Sequence, residues 1–200
     1  MKFGIRLLNS IDHCVNNLVV MVPADINFTE YQDVIDTNKN IYNSSVIRSS
    51  FRIFGVSEGW NAGLKTFPQS TWFLICNYDV EFLSGQLREI STRFWQDIGV
   101  LPNTTSKYQF ALVNWNNMGP GGFNLFAISK FLVGKIGYFD ENFYPAFHED
   151  RDYEQRIMIH YRGRRRMMHI YMDIKLWHGI HEHEYTTGTK YMQTVISLPT

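Results

Sequence analysis

The sequence is short of cysteine, of long apolar runs and of any surplus of charge, and each shortage removes a class of protein. Two cysteines in 200 residues, Cys14 and Cys76, cannot build a disulfide framework or a thiolate zinc site. Cys76 lies inside an apolar run, where a free thiol behaves as a small hydrophobe, so a reducing, cytoplasmic compartment is expected. No apolar stretch approaches the ~20 residues that span a bilayer. "MKFGIRLLNS" reaches Asn9 and Ser10 where a signal peptide would continue its apolar core. A soluble chain without a membrane span is therefore expected. Lys plus Arg (19) balance Asp plus Glu (19), which argues against a general nucleic-acid binder, because neutralising phosphates takes a cationic surplus. The dense basic run "YRGRRRMMH" (161–169) is local, and suits a solvated helix end or a patch for an anionic, phosphorylated partner. The common nucleotide-binding glycine loops and the H-E-x-x-H zinc helix are also missing.

Aromatic residues, by contrast, are plentiful, at 16% of the chain. They suit a solid core, and also a cleft with flat faces for sugars or bases. A chain of this length buries roughly 70% of the surface it exposes when unfolded and fits one domain. Runs of strand length alternate with helix-compatible segments through the first hundred residues. "FGIRLL" (3–8) and "LVVMVP" (18–23) read as buried strands, and 28–45 as helical. Another strand is expected within 45–55, a short helix over 60–68 stopped by Pro68, and a strand in "TWFLICNYDVEF" (71–82). A helix capped by Ser84 follows over 84–97. This alternation predicts an α/β fold with a mainly parallel sheet flanked by helices. The second half reads as strands around "GPGG" within 108–129, a helix from Asp150 to about Tyr161, and an alternating strand in 167–179.

Three clusters have the residue types for chemistry. "LICNYDVEF" (74–82) ends an apolar strand in Asn77, Asp79 and Glu81, hard oxygen ligands of the kind Mg²⁺ or Mn²⁺ prefers. In open α/β sheets ligands bind beyond the carboxyl ends of strands, where these side chains stand. A merely polar exit loop is the plainer account. "YPAFHEDRDYE" (144–154) crowds Glu149, Asp150 and Asp152 at a helix start. Complementing the helix dipole explains one or two such acids; aromatic neighbours make a carboxylate there a candidate general base. "KLWHGIHEHEY" (175–185) offers His178, His181 and His183 as metal ligands, and Trp177 or Tyr185 for stacking. A single His after a strand is more often structural, but three within six residues also admit a separate zinc site. "SEGWNAGLKTF" (57–67) reads alone as a tight turn before a short helix, although Gly59 and Gly63 would allow close backbone approach to a ligand.

Taken in order, "VPADIN" (22–27), "GWNAGLK" (59–65), "NYDVEF" (77–82), "GPGGF" (119–123), "GYFDENF" (137–143), "HEDRDYEQR" (148–156) and "WHG" (177–179) resemble inverting glycosyltransferases of the GT-A fold, family 2. They are most similar to the rhamnosyltransferase-like branch, including domains of glycosyltransferases from large algal viruses. The resemblance covers nearly the whole chain; each motif is weak alone, and their order gives it weight. It implies a single GT-A domain in which residues 1–100 bind a UDP- or dTDP-sugar and 101–200 bind a glycan or glycoprotein acceptor. Leu8 and Asn9 on the opening strand, Asp25, Trp60, Asn61, Lys65, Asn77, Tyr78 and Asp79 would then contact the donor. Asp79 and His178 would hold Mn²⁺ or Mg²⁺, and Asp150 would be the base. Glu149, Trp115, Tyr144 and Trp177 would meet the acceptor, the three aromatics on residue type. Tyr78 stands where the family has Pro, Asn77 where it has the first Asp of D-x-D, and Asp25 lacks the usual following Asn and Ser. A nucleotidyltransferase or metal-dependent phosphohydrolase also needs carboxylates and a divalent ion on an α/β sheet, but releases pyrophosphate or orthophosphate. A carbohydrate-binding module would need no ion and would bind normally without Asp79 or Asp150.

Overall fold

A computed structural model describes residues 3–22, 27–48, 55–98, 108–115, 123–162, 167–172, 175–176 and 193–197. The fold is α/β. Helix α1 spans Phe3–Asn9, strand β1 Val15–Val22, helix α2 Thr29–Thr37, strand β2 Ile41–Arg48 and helix α3 Val56–Thr66. Strand β3 (Trp72–Asn77), the short strand β4 (Val80–Glu81) and helix α4 (Gln86–Ile98) follow. The remaining elements are β5 (Phe110–Trp115), β6 (Leu125–Ser129), α5 (Lys130–Ile136), α6 (Glu149–His160), β7 (Met167–Met172), β8 (Lys175–Leu176) and β9 (Gln193–Ser197).

Seven strands form one sheet in the order β2-β1-β9-β3-β6-β5-β7, and β4 pairs with β8 separately. Among the described strands only β1–β2 and β5–β7 pair in parallel; β9 runs against both β1 and β3, and β6 against both β3 and β5. The expected mainly parallel sheet is therefore mixed. A parallel return needs a crossover of a dozen or more residues, usually helical, and the stretch from Trp115 to Leu125 is too short for one. Strands β1, β2, β3, β5 and β7 still point the same way and share one carboxyl edge.

Both faces of the sheet are covered, which explains the near-continuous apolar strands. In β3, Trp72, Leu74 and Cys76 face the cluster containing Leu7 and Leu8 of α1, Tyr31 and Ile35 of α2, and Leu87, Ile90 and Phe94 of α4. Phe73 and Ile75 face Trp60 and Leu64 of α3, Leu132 of α5, and Tyr153 and Ile157 of α6. Burial pushes the Cys76 thiol well above its ordinary range, as befits an inert core residue.

Several local expectations are corrected. Residues 3–8 form a helix, not a strand: Gly4, Leu7, Leu8 and Ile11 are buried with i, i+3, i+4, i+7 spacing. The helix expected over 28–45 ends at Thr37, and the strand looked for within 45–55 runs over 41–48. Asn38 makes that break, donating to the Leu8 and Ile11 carbonyls while accepting from the Asn40 amide. The short helix of 60–68 begins earlier, at Val56, where the Pro145 carbonyl accepts its first amide at 2.8 Å. Gly85 (φ +80°), not Ser84, precedes α4, and its carbonyl accepts from the Glu89 amide. Helix α5 and strand β9 had no counterpart in the sequence reading; Ser129 caps α5, its Oγ accepting from the Leu132 amide at 3.0 Å. Helix α6 lies where expected.

Candidate functional site

The carboxyl edge of the sheet gathers most of the candidate residues the structure describes. β3 leaves the core at Asn77, whose amide nitrogen donates to the Asn124 carbonyl and whose Nδ2 donates to Asn124 Oδ1, both at 2.8 Å. This double latch fixes the strand exit against the entry of β6, and Asn124 is a partner the sequence did not disclose. Tyr78, half-buried, and Asp79, only 6% exposed, form the turn into β4. β4 pairs antiparallel with β8, Val80 opposite Leu176 and Glu81 opposite Lys175. Leu176 precedes Trp177 and His178 in the chain, and those two lie outside the described residues, as do Asp25, His181, His183 and Tyr185. Trp115 ends β5 at the same edge; its side chain is likewise outside the description.

Helices α3 and α6 start at this edge. The C-terminus of α3 leads through Pro68 to the start of β3, so its first turn lies at the other end, beside Pro145. The chain after α6 enters β7 opposite Phe110, the first residue of β5, which puts the C-terminus of α6 at the amino edge and Glu149 and Asp150 at the carboxyl edge. Tyr153, stacked on Phe139 at 4.0 Å and donating to the Gly137 carbonyl, fixes the helix.

The three acids of the first α6 turn differ in environment. Asp152 is taken by Arg156 at 2.7 Å. Asp150 is half-buried and accepts the Arg151 amide at 2.7 Å, leaving it at the rim of the helix start. Glu149 is buried at 8% exposure, and its Oε2 has no hydrogen-bond partner. Burial pushes its pKa above the ordinary carboxylate value; the backbone amides of Glu149 and Phe147 pull the other way and Asp150 adds to the rise.

Other candidates lie deeper or elsewhere. Leu8 is buried on α1, and Asn9 is exposed at the end of that helix rather than on a strand. Trp60, 1% exposed, packs within an aromatic cluster against Phe126 and Phe139. Asn61, also 1% exposed, grips Phe139 through both backbone groups and donates to Glu141 Oε1 at 2.8 Å. Lys65 is exposed near the last turn of α3, 3.8 Å from Glu141 and over the Tyr138 ring, about 13 Å along the helix from Val56 by helical rise. A cavity of about 140 Å³ beside Lys65, Lys130 and Tyr138 belongs to that opposite end and holds none of the acids. Tyr144, 47% exposed, flanks the α3 start: a Cβ on Gly55 would meet its ring at 2.9 Å. Among the described residues no three His, Cys, Asp or Glu side chains converge as a metal cluster, and no helix is long and apolar enough to cross a membrane.

Compared with models of known protein families, the chain matches none, and it matches no solved structure. A stretch of 32 residues is 50% identical to a protein of Leishmania donovani named galactofuranosyl glycosyltransferase. That stretch is 16% of this chain and spans 7% of the length of the other protein.

Proposed function

We propose that this chain is an inverting glycosyl-transfer domain that takes a sugar from a UDP- or dTDP-sugar and passes it to a hydroxyl of a glycan or glycoprotein. The observation that carries the reading is that Asp79, at the exit of β3, and Asp150, in the first turn of α6, both stand at the carboxyl edge of the sheet. The parallel β1-α2-β2 unit at the start of the sheet supports the GT-A fold that the sequence resembles. The short identity to a galactofuranosyl glycosyltransferase supports the reaction class, with rhamnose or galactofuranose as the sugars to test first.

A buried carboxylate at a strand exit fits Mn²⁺ or Mg²⁺ in kind, since such ions keep waters and take further oxygens from substrate phosphates. Asp79 would hold the ion, with His178 the expected second ligand beyond β8. When bound, the ion supplies Lewis-acid neutralisation of the departing diphosphate. The remaining work falls to side chains of this chain. Asp150 takes the proton of the acceptor hydroxyl as its oxygen bonds the anomeric carbon; the bond to the nucleoside diphosphate breaks on the opposite face, which inverts the centre. Glu149 orients the acceptor beside it. The Asn77–Asn124 latch holds the β3 exit still while the donor is bound.

The test is a screen of UDP-, dTDP- and GDP-sugars with Mn²⁺, Mg²⁺ or EDTA, reading nucleoside diphosphate release from wild type, Asp79→Ala and Asp150→Asn. One donor is expected to release its diphosphate with metal only. Asp79→Ala abolishes release, and Asp150→Asn slows transfer to an acceptor by about 10²–10⁴-fold. Release of pyrophosphate or orthophosphate instead would move the chain to nucleotidyl transfer or phosphohydrolysis. Glycan binding that is indifferent to metal and to both aspartates would make it a carbohydrate-binding module.

A further inference from the structure

The segment just before Asp150 has a shape that the reaction does not account for. Phe147 (φ +81°) and His148 (φ +71°) are consecutive non-glycine residues in the left-handed region. For a bulky side chain such as Phe this backbone is a true outlier, and a strained residue persists only where its surroundings impose it. The imposing contacts are visible. Upstream, the Pro145 carbonyl accepts the Val56 amide at 2.8 Å and the Tyr144 ring lies against Gly55, where any Cβ would collide with it. Downstream, the His148 carbonyl accepts the Asp152 amide at 2.9 Å, and the amides of Phe147 and Glu149 serve the buried Glu149 carboxylate. Pinned at both ends, the turn holds the Phe147 ring out at 72% exposure, with Tyr144 at 47% three residues before it. Two exposed aromatics on a turn pinned at both ends, Phe147 three residues before the candidate base, are thus held out of the core that such side chains ordinarily seek and are preorganised for contact.

The geometry points to Phe147 as an acceptor-recognition residue: its ring, with Tyr144 beside it, receives the apolar face of the acceptor sugar and so presents that sugar's hydroxyl to Asp150. This rests on the glycosyl-transfer reading, and it adds a residue that selects the acceptor but not the donor. The ring faces solvent at the rim and shares no element with the donor-side residues at the β3 exit, so its loss spares donor chemistry.

The test uses Phe147→Asn, which suits the left-handed backbone and removes the ring, and Phe147→Trp, which keeps a flat face. Methyl α-rhamnoside, methyl β-galactofuranoside and methyl β-glucoside are the probes, with binding read by saturation-transfer NMR and transfer by product formation. Phe147→Asn is expected to raise the KM of the accepted glycoside at least tenfold. Donor-only hydrolysis stays within twofold of wild type, melting does not fall, and Phe147→Trp restores most of the affinity. An unchanged KM and unchanged glycoside binding in Phe147→Asn would overturn the assignment, as would wild type that binds none of the probes. If wild type binds a glycoside through Phe147 but hydrolyses no nucleotide sugar, the platform stands and the transfer reading falls.

Discussion

At the residue scale the two adjacent acids that open α6 do unlike things because one is buried and the other is at the rim. Glu149 binds its proton more tightly in the folded chain than in the unfolded one, because burial penalises its charge. A carboxyl with a raised folded pKa makes no difference to stability below its ordinary value of 4.5, where both states are protonated. Above that value the unfolded chain gives up the proton that the folded one still holds, and beyond the folded pKa the fold must bury the charge. Stability thus falls as pH rises from 4.5 to the folded pKa and then levels. Glu149→Gln, which keeps an acceptor for the two backbone amides, is therefore expected to melt above wild type at neutral pH and level with it below about pH 4, read by calorimetry across that range. Asp79 and Asp150 stood out in the sequence as candidates because acids directly after apolar or aromatic residues break the pattern around them, and the structure puts both at the carboxyl edge of the sheet. Trp60 and Asn61, read from the sequence as donor contacts, are buried within the fold. Their motif is polar and glycine-rich on paper, yet Asn61 spends its polarity on the Phe139 backbone, and Trp60 fills the aromatic cluster beneath. The sequence placed Phe147 among the aromatic neighbours of the acids but gave no sign that its ring is held outward, since left-handed backbone at a non-glycine residue is imposed by tertiary contacts.

At the element scale, the strands β1 and β3 and the helix α6 were read correctly from their patterns. The helix read over 28–45 took in the start of β2, because the break at Asn38 is made by hydrogen bonds to the distant Leu8 and Ile11 carbonyls. Residues 3–8 were too few to show a period. Read with Ile11 included, the four buried positions fall on one helical stripe, and the strand reading fails. Helix α5 is only seven residues long, and its Ser129 cap is also the last residue of a strand, so the boundary left no composition change to detect. The start of α4 rests on Gly85, at φ +80° with nothing within 4 Å of where a Cβ would stand. Gly85→Ala therefore meets no steric neighbour, and what remains is the backbone cost of left-handed geometry. It is expected to lower stability by about 1–2 kcal/mol, measured by urea titration, with the slope of the transition unchanged.

At the scale of the whole molecule, the sheet joins the two halves of the sequence strand by strand. β9 lies between β1 and β3, with Val195 opposite both Val19 and Ile75. A strand bonded on both edges cannot accommodate proline, which removes a ladder donor. Val195→Pro is expected to abolish cooperative unfolding, seen as loss of near-ultraviolet circular dichroism and of a single calorimetric transition. The parallel β1–β2 start was readable from its βαβ alternation. The direction of β6 and the insertion of β9 were not, because strand order is set by contacts between distant segments, which a local period cannot carry.

The place of β9 also bears on how the chain is made. During synthesis β1 and β3 emerge long before Gln193, and until it arrives each offers an open apolar edge to any passing strand. The last strand described here closes the middle of the sheet, so the nascent chain stays competent to misassemble until residue 197 has cleared the ribosome. Its folding yield in the cell should then follow the supply of holdase chaperones more closely than the stability of the finished fold.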